Sequence, residues 1–152
     1  MLIKERTGLN DLLRLQLQLE DAEIVFDNNL KEHYYATLKG KEKLKNRIKN
    51  KNNIFYVALN KDKIIVFIDG YVPDDEWWYK EKVAYIDHLC VDIEYRRKGI
   101  ATNLFKAFKK EAILLGAKYI RLLAFPKNTA AISFYKKNNF SEYSTYYNKS
   151  CN

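Results

Sequence analysis

The stretch of this chain best equipped for chemistry reads Ile86-Asp87-His88-Leu89-Cys90-Val91-Asp92-Ile93-Glu94-Tyr95-Arg96-Arg97-Lys98-Gly99-Ile100-Ala101. An apolar segment ends, three cations follow, and a glycine opens a run with helical spacing. The first backbone N–H groups of a helix have no partner within it, and the helix dipole places partial positive charge at the same end. Both favour a phosphate. Gly99 lets a ligand approach the backbone closely, and Arg96, Arg97 and Lys98 add positive charge beside it. These residues predict a diphosphate site, although a plain strand–turn–helix with exposed basic residues has the same outline. The sequence contains no G-x-x-x-x-G-K-[ST] and no G-x-G-x-x-G, so a P-loop or dinucleotide fingerprint is excluded. Cys90 and Cys151 have no metal-ligand spacing and are too few for a disulfide framework. No metal is expected, and a cytoplasmic location fits the cysteine usage.

Such a site needs a strand before it and a helix behind it. Residues 83–92 read as a strand, with Val83, Tyr85, Asp87, Leu89 and Val91 on one face and Ala84, Ile86, His88 and Cys90 on the other. Ile100, Leu104, Phe108, Ala112 and Leu115 then recur at helical spacing, and Gly116 stands where a C-terminal glycine cap belongs. Residues 118–125 read as an apolar strand, 128–137 as a last helix and 140–149 as a terminal strand with alternating Tyr143, Thr145 and Tyr147. Earlier, residues 2–4 are a candidate first strand. Asn10 or Asp11 caps a helix carrying Leu12, Leu13, Leu15, Leu17 and Leu19. Residues 39–53 are a basic helix with Leu44 and Ile48 four apart, and 53–60 with 64–72 form a hairpin. Residues 73–82 are a polar loop bearing Trp77 and Trp78. The strand–helix–strand order of the second half implies a parallel pair, whereas the first half favours antiparallel pairing. The fold class is therefore α/β (mixed α+β): a mixed sheet with helices on both faces.

The 152 residues fit a single domain, 1–152. Hydrophobic residues are 47% and charged residues 30%, which argues against wholesale disorder. No apolar run approaches the roughly 20 residues of a membrane span. Lys4, Glu5 and Arg6 have no apolar stretch behind them, so no secretory signal is expected. Twenty-seven Lys plus Arg against 19 Asp plus Glu give a net charge of +8, which suits an anionic partner unless it reflects composition alone.

Arg96-Arg97-Lys98-Gly99-Ile100-Ala101 resembles the [Q/R]-x-x-G-x-[G/A] motif of the GNAT superfamily of acyl-CoA-dependent N-acetyltransferases. Residues 85–92 resemble that family's fourth strand. Asn128-Thr129-Ala130-Ala131-Ile132-Ser133-Phe134-Tyr135-Lys136-Lys137-Asn138-Asn139-Phe140 resembles the N-x-x-A-x-x-F-Y-x-x-x-G-F signature of its last helix. The likeness covers about 53–149. Ala101 stands where many members have a second glycine. Asn139 stands where the family has glycine, and asparagine is the best substitute for a left-handed turn.

The resemblance implies a GNAT fold, a twisted, mostly antiparallel sheet with a splayed central parallel strand pair. It implies acetyl-CoA as cosubstrate, its pantetheine arm on the backbone of Leu89, Cys90 and Val91. The diphosphate would lie on the amides of Arg96, Arg97, Lys98, Gly99, Ile100, Ala101 and Thr102. Asn128 would touch the cofactor arm, and Tyr135 would protonate the departing thiolate. Asp87 would be base or substrate anchor, with Tyr85 assisting through water. His88 on the other face reads as a packed histidine and Cys90 as apolar filler.

Glu20, Asp21, Glu23 and Asp27, then His33-Tyr34-Tyr35, then Asp74-Asp75-Glu76-Trp77-Trp78 suit a cationic acceptor by charge and cation–π attraction. The expected reaction is acetyl transfer to a primary amine of a polyamine-like, aminoglycoside-like or peptide acceptor. Two alternatives stand beside it: acetylation of charged tRNA docked on Lys43, Lys45, Arg47 and Lys49, or a non-catalytic acyl-CoA-binding module. A plain nucleic-acid binder is disfavoured because no RNA-recognition signature is present. The terminal strand offers an edge for a homodimer.

Overall fold

The computed structural model describes residues 8–75 and 77–151; the candidate strand at 2–4 and Glu76 lie outside them. Four helices and four strands follow one another as α1 (Leu9–Glu23), α2 (Leu38–Lys49), β1 (Asn53–Asn60), β2 (Lys63–Tyr71), β3 (Val83–Val91), α3 (Ile100–Leu114), β4 (Tyr119–Leu122) and α4 (Thr129–Lys137). The sheet order is β1-β2-β3-β4. β1–β2 and β2–β3 are antiparallel, while β3–β4 is parallel. The mixed sheet read from the sequence is thus present, and helices cover both faces.

One face packs Ile65, Val66, Ile68, Ala84 and Ile86 against Leu104, Phe105, Phe108 and Ala112 of α3. The other packs Ile64, Phe67, Val57 and Cys90 against Leu12 and Leu15 of α1 and Leu44 of α2. Leu15, Leu44, Phe67 and Phe108 are fully buried. Truncating a leucine in such a position costs about 2–5 kcal/mol. Polar ties set the docking of α1. Asp11, read as a helix cap, instead accepts the Ile64 N–H at 2.9 Å, and Gly8 occupies the N-cap. Arg14 bonds the buried Asp92 at 2.6 Å and the Ile64 carbonyl at 2.9 Å. α2 starts as a capped helix, with the Thr37 side chain accepting the Gly40 N–H at 3.1 Å.

Further expectations change. Residues 141–151 form no strand. Tyr143, Thr145 and Tyr147 alternate, but alternation specifies a face and needs a neighbouring edge to pair with; Tyr146 and Tyr147 are exposed. The segment is held instead by Tyr143, whose ring lies 4.1 Å from the Arg121 guanidinium, itself 3.8 Å from the Tyr79 ring. The second change is in β3. Asp69 pairs with His88 and Gly70 with Ile86, so Asp87 is an extra residue, a β-bulge. The strict alternation read along 83–92 therefore breaks. Ala84 and Ile86, then Leu89 and Val91, face α3, whereas Cys90 faces α1. Gly70 makes the tight approach opposite the bulge possible: a Cβ there would lie 1.9 Å from the Tyr85 carbonyl oxygen.

Candidate active site

β3 and β4 pair only from Val83 with Tyr119 to Ile86 with Leu122. β4 stops there, and β3 continues to Val91. Residues 87–91 thus have an edge with no β4 partner, beginning at the bulge. Leu89, Cys90 and Val91 lie on this free edge. At its far end Ile93–Tyr95 form a short 3-10 turn capped by Asp92, and α3 begins after Gly99.

Gly99 has φ +75° and a Cβ built on it would meet nothing within 4 Å, so the space before α3 is open. No side chain caps α3. Its first amides, on Ile100, Ala101 and Thr102, are left for a ligand. Arg97 also takes a left-handed φ of 61°, which turns successive amides toward one side. Arg96 donates to the Val91 carbonyl at 3.2 Å, and Lys98 lies 4.8 Å from the Tyr95 ring. An uncapped helix start, an open approach and three cations fit the diphosphate of a coenzyme A. The free β3 edge beside them fits an amide-bearing arm.

Asn128 and Tyr135 are placed by α4. The Asn128 side chain caps that helix, its Oδ1 accepting the Ala131 N–H at 3.1 Å. Asn139 adopts φ 64°, the left-handed turn that its substitution for glycine requires, and Phe140 returns to bond the Tyr135 carbonyl. Tyr135 is clasped edge-on between Phe134 and Phe140, at ring distances of 5.3 and 5.5 Å. Burial pushes its phenol up to about 12, with the charge of Glu23 adding to the shift. The Tyr135 hydroxyl therefore stays protonated at neutral pH. Cys90 is buried, its Sγ donates to the Leu15 carbonyl at 3.1 Å, and burial pushes its thiol up to about 12. It is no nucleophile in this state.

The bulge gathers a polar cluster on the α1–α2 face. Asp69 has a fully buried side chain. Its Oδ2 accepts Arg47 Nε at 2.9 Å and pairs with a second guanidinium nitrogen at 2.7 Å. Its Oδ1 lies 3.1 Å from His88 Nδ1. Arg47 donates onward to the Tyr35 hydroxyl at 2.9 Å and to Gln16 at 3.4 Å. Burial, then the charge of Asp69, pushes the Asp87 carboxyl up, against the opposing charges of His88, Arg47 and Lys43. Burial likewise raises Glu23, with His88 opposing. Glu20, one turn before Glu23 on α1, accepts the Tyr35 N–H at 3.2 Å and is raised chiefly by burial. Glu20, Asp21, Ile24, Glu32 and His33 line a cavity of about 240 Å³.

Asp87 thus shares its surroundings with His88 rather than with Leu89. His88 is no sealed core residue: its side chain is 24% exposed. Asp69 was not among the residues expected at the site. Its signal is a carboxylate inside the otherwise apolar run 64–72, a position that demands a buried partner. Trp77 and Trp78 form an exposed edge-on pair at 5.0 Å. Among the described residues, no group of three or more His, Cys, Asp or Glu is arranged to hold a metal, and no helix is long and apolar enough to cross a membrane.

Comparison with known proteins finds relatives of the chain and structures of the same fold. L-2,4-diaminobutyric acid acetyltransferase of Marinococcus halophilus is 25% identical over 81 residues, 53% of this chain and 45% of that protein. The chain spans less than half the length of the curated relatives it matches. The BH1408 protein of Bacillus halodurans superposes with a TM-score of 0.83 at 20% identity, covering 99% of both chains. An aminoglycoside acetyltransferase from an uncultured soil metagenomic sample, solved with sisomicin, gives a TM-score of 0.66 at 23% identity over 97% of this chain and 95% of its own. Both structures share the fold. The model of the acetyltransferase (GNAT) family matches residues 16–140, and the chain belongs to that family.

Proposed function

We propose that this chain transfers the acetyl group of acetyl-CoA to a primary amine of a small cationic acceptor, polyamine-like or aminoglycoside-like, or to a peptide amine. The observation that carries the reading is the free β3 edge, with an uncapped, glycine-led α3 beyond it and the carboxylates of Asp87 and Glu23 beside His88. One end suits an anionic nucleotide and the other a cation. A diaminobutyric acid acetyltransferase and a sisomicin-bound acetyltransferase among the similar proteins point to the same class of acceptor.

In this reading the cosubstrate supplies an activated acetyl group as a thioester. Leu89, Cys90 and Val91 present backbone groups to its arm, and Asn128 contacts the same arm. Arg96, Arg97, Lys98, Gly99, Ile100, Ala101 and Thr102 hold the diphosphate. An amide of β3 near Leu89 or Cys90 donates to the oxygen that becomes negative during attack. The Tyr135 hydroxyl, kept protonated by its burial, donates to the departing sulfur. Asp87, with Glu20 and Glu23, draws the ammonium to the mouth.

A panel of spermidine, putrescine, 2,4-diaminobutyrate, sisomicin and an N-terminal peptide, incubated with acetyl-CoA and followed by thiol release, tests the reading. Turnover with at least one cationic amine is expected. Acetyl-CoA binding without turnover of any of them overturns it.

A further inference from the structure

An alkylammonium must lose a proton before its nitrogen can attack a thioester. Asp87 is one carboxylate near the bulge, but another arrangement there has the geometry of a proton acceptor. Asp69 is held by two nitrogens of Arg47 on its Oδ2, which leaves Oδ1 for His88 Nδ1 at 3.1 Å. A carboxylate only accepts, so Nδ1 donates to Asp69, and Nε2 is the ring nitrogen left to take a proton. Nε2 is across the ring from the buried Asp69 and has no hydrogen-bond partner among the described residues. The ring is partly exposed and sits on the free backbone edge, one residue before Leu89. A histidine with one nitrogen locked by a buried carboxylate and the other free is the arrangement that general-base catalysis requires.

We propose that His88 Nε2 is the proton acceptor for the attacking amine and that Asp69, fixed by Arg47, is its positioning residue. The proposal rests on the acetyl-transfer reading and deepens it. In the first step the ammonium N–H bond breaks and the proton joins Nε2, giving an imidazolium and a neutral amine. The amine lone pair then forms the C–N bond as the C–S bond breaks. The second amine proton leaves with the thiol sulfur, through Tyr135, and the imidazolium returns its proton to water. The sum is one amide, one free thiol and one released proton.

The charged and titratable groups around His88 are Glu23 of α1, Arg47 of α2, Asp69 of β2 and Asp87 of its own strand, with Lys43 facing Asp87 and Tyr135 facing Glu23. The bulge is what makes the placement possible, since it puts Asp87 and His88 together at the point where β3 leaves β4.

The test is the pH profile of kcat/KM with whichever amine of the panel turns over fastest. H88Q should lower kcat/KM at pH 7 by about 10²-fold, the lower end of general-base contributions. It should remove the acid limb and leave the Kd for coenzyme A within twofold. D69N, which takes the negative charge from Nδ1, should move the acid limb to lower pH. Free imidazole should restore part of the rate of H88A, a response no purely structural role gives. Retention of kcat/KM within threefold in H88Q with the acid limb in place overturns the assignment, as does a limb that shifts in D87N alone. Failure of the wild type to turn over any amine instead overturns the acetyl-transfer reading beneath it.

Discussion

Replacing Gly99 separates a backbone cost from a ligand cost. Gly99 has φ +75°, and a side chain there costs roughly 1–2 kcal/mol of left-handed strain. Arg97, already at φ 61°, shows that the turn accommodates one such residue. A Cβ at position 99 meets nothing within 4 Å, so no clash adds to the strain. At about 2–4 °C per kcal/mol for a chain of this size, unliganded Gly99→Ala and Gly99→Leu should both lose roughly 2–8 °C in Tm. Their affinity for coenzyme A should part company. The added carbons project into the space before the α3 amides, so obstruction grows with side-chain size while strain does not. Gly99→Leu should bind at least about tenfold more weakly than Gly99→Ala, a difference of roughly 1.4 kcal/mol. Thermal unfolding without ligand and isothermal titration calorimetry with coenzyme A measure the two quantities separately. Equal affinities for Gly99→Leu and the wild type would refute the placement of the diphosphate.

Tyr135→Phe should lower kcat by about 10²-fold with the coenzyme A Kd unchanged. Because burial holds the wild-type phenol at about 12, above its ordinary value of 10, the donor form persists as pH rises, and no alkaline limb from this group should appear up to pH 10; steady-state kinetics from pH 6 to 10 check both points. Arg47→Ala leaves the fully buried Asp69 without its guanidinium and should cost about 3–5 kcal/mol in urea unfolding at pH 7, with much of the loss recovered by pairing it with Asp69→Asn.

The hairpin, the long helix and its glycine turn were legible because each rests on local rules. The hairpin 53–60 with 64–72 became β1 and β2, shifted by one residue at β2. The apolar stripe from Ile100 to Ala112 became α3, and Gly116 took its left-handed turn at φ 91°. The polar cluster was not legible. Arg47, Asp69 and His88 come from three elements, and nothing in local spacing says that they meet. The bulge at Asp87 hid the relation further, because alternation assigns His88 to the face of Ile86, which packs against α3. The strand expected at 118–125 shortened to Tyr119–Leu122, since β4 ends where β3 swings away and its later residues have no ladder to join. Tyr143, Thr145 and Tyr147 show the same limit: period-two spacing carries no information about whether a partner edge exists.

The single surplus residue in β3 behaves like a change of reading frame. Before it, even-numbered positions belong to the α3 side; after it, odd-numbered ones do. Two residues of one strand with the same numerical spacing therefore answer to different helices, depending on whether position 87 lies between them. Aligning this strand without a gap to one that lacks the extra residue exchanges the α3 side for the α1 side along its whole second half, and a one-residue deletion would turn Leu89 and Val91 toward α1 and send the Cys90 thiol under α3.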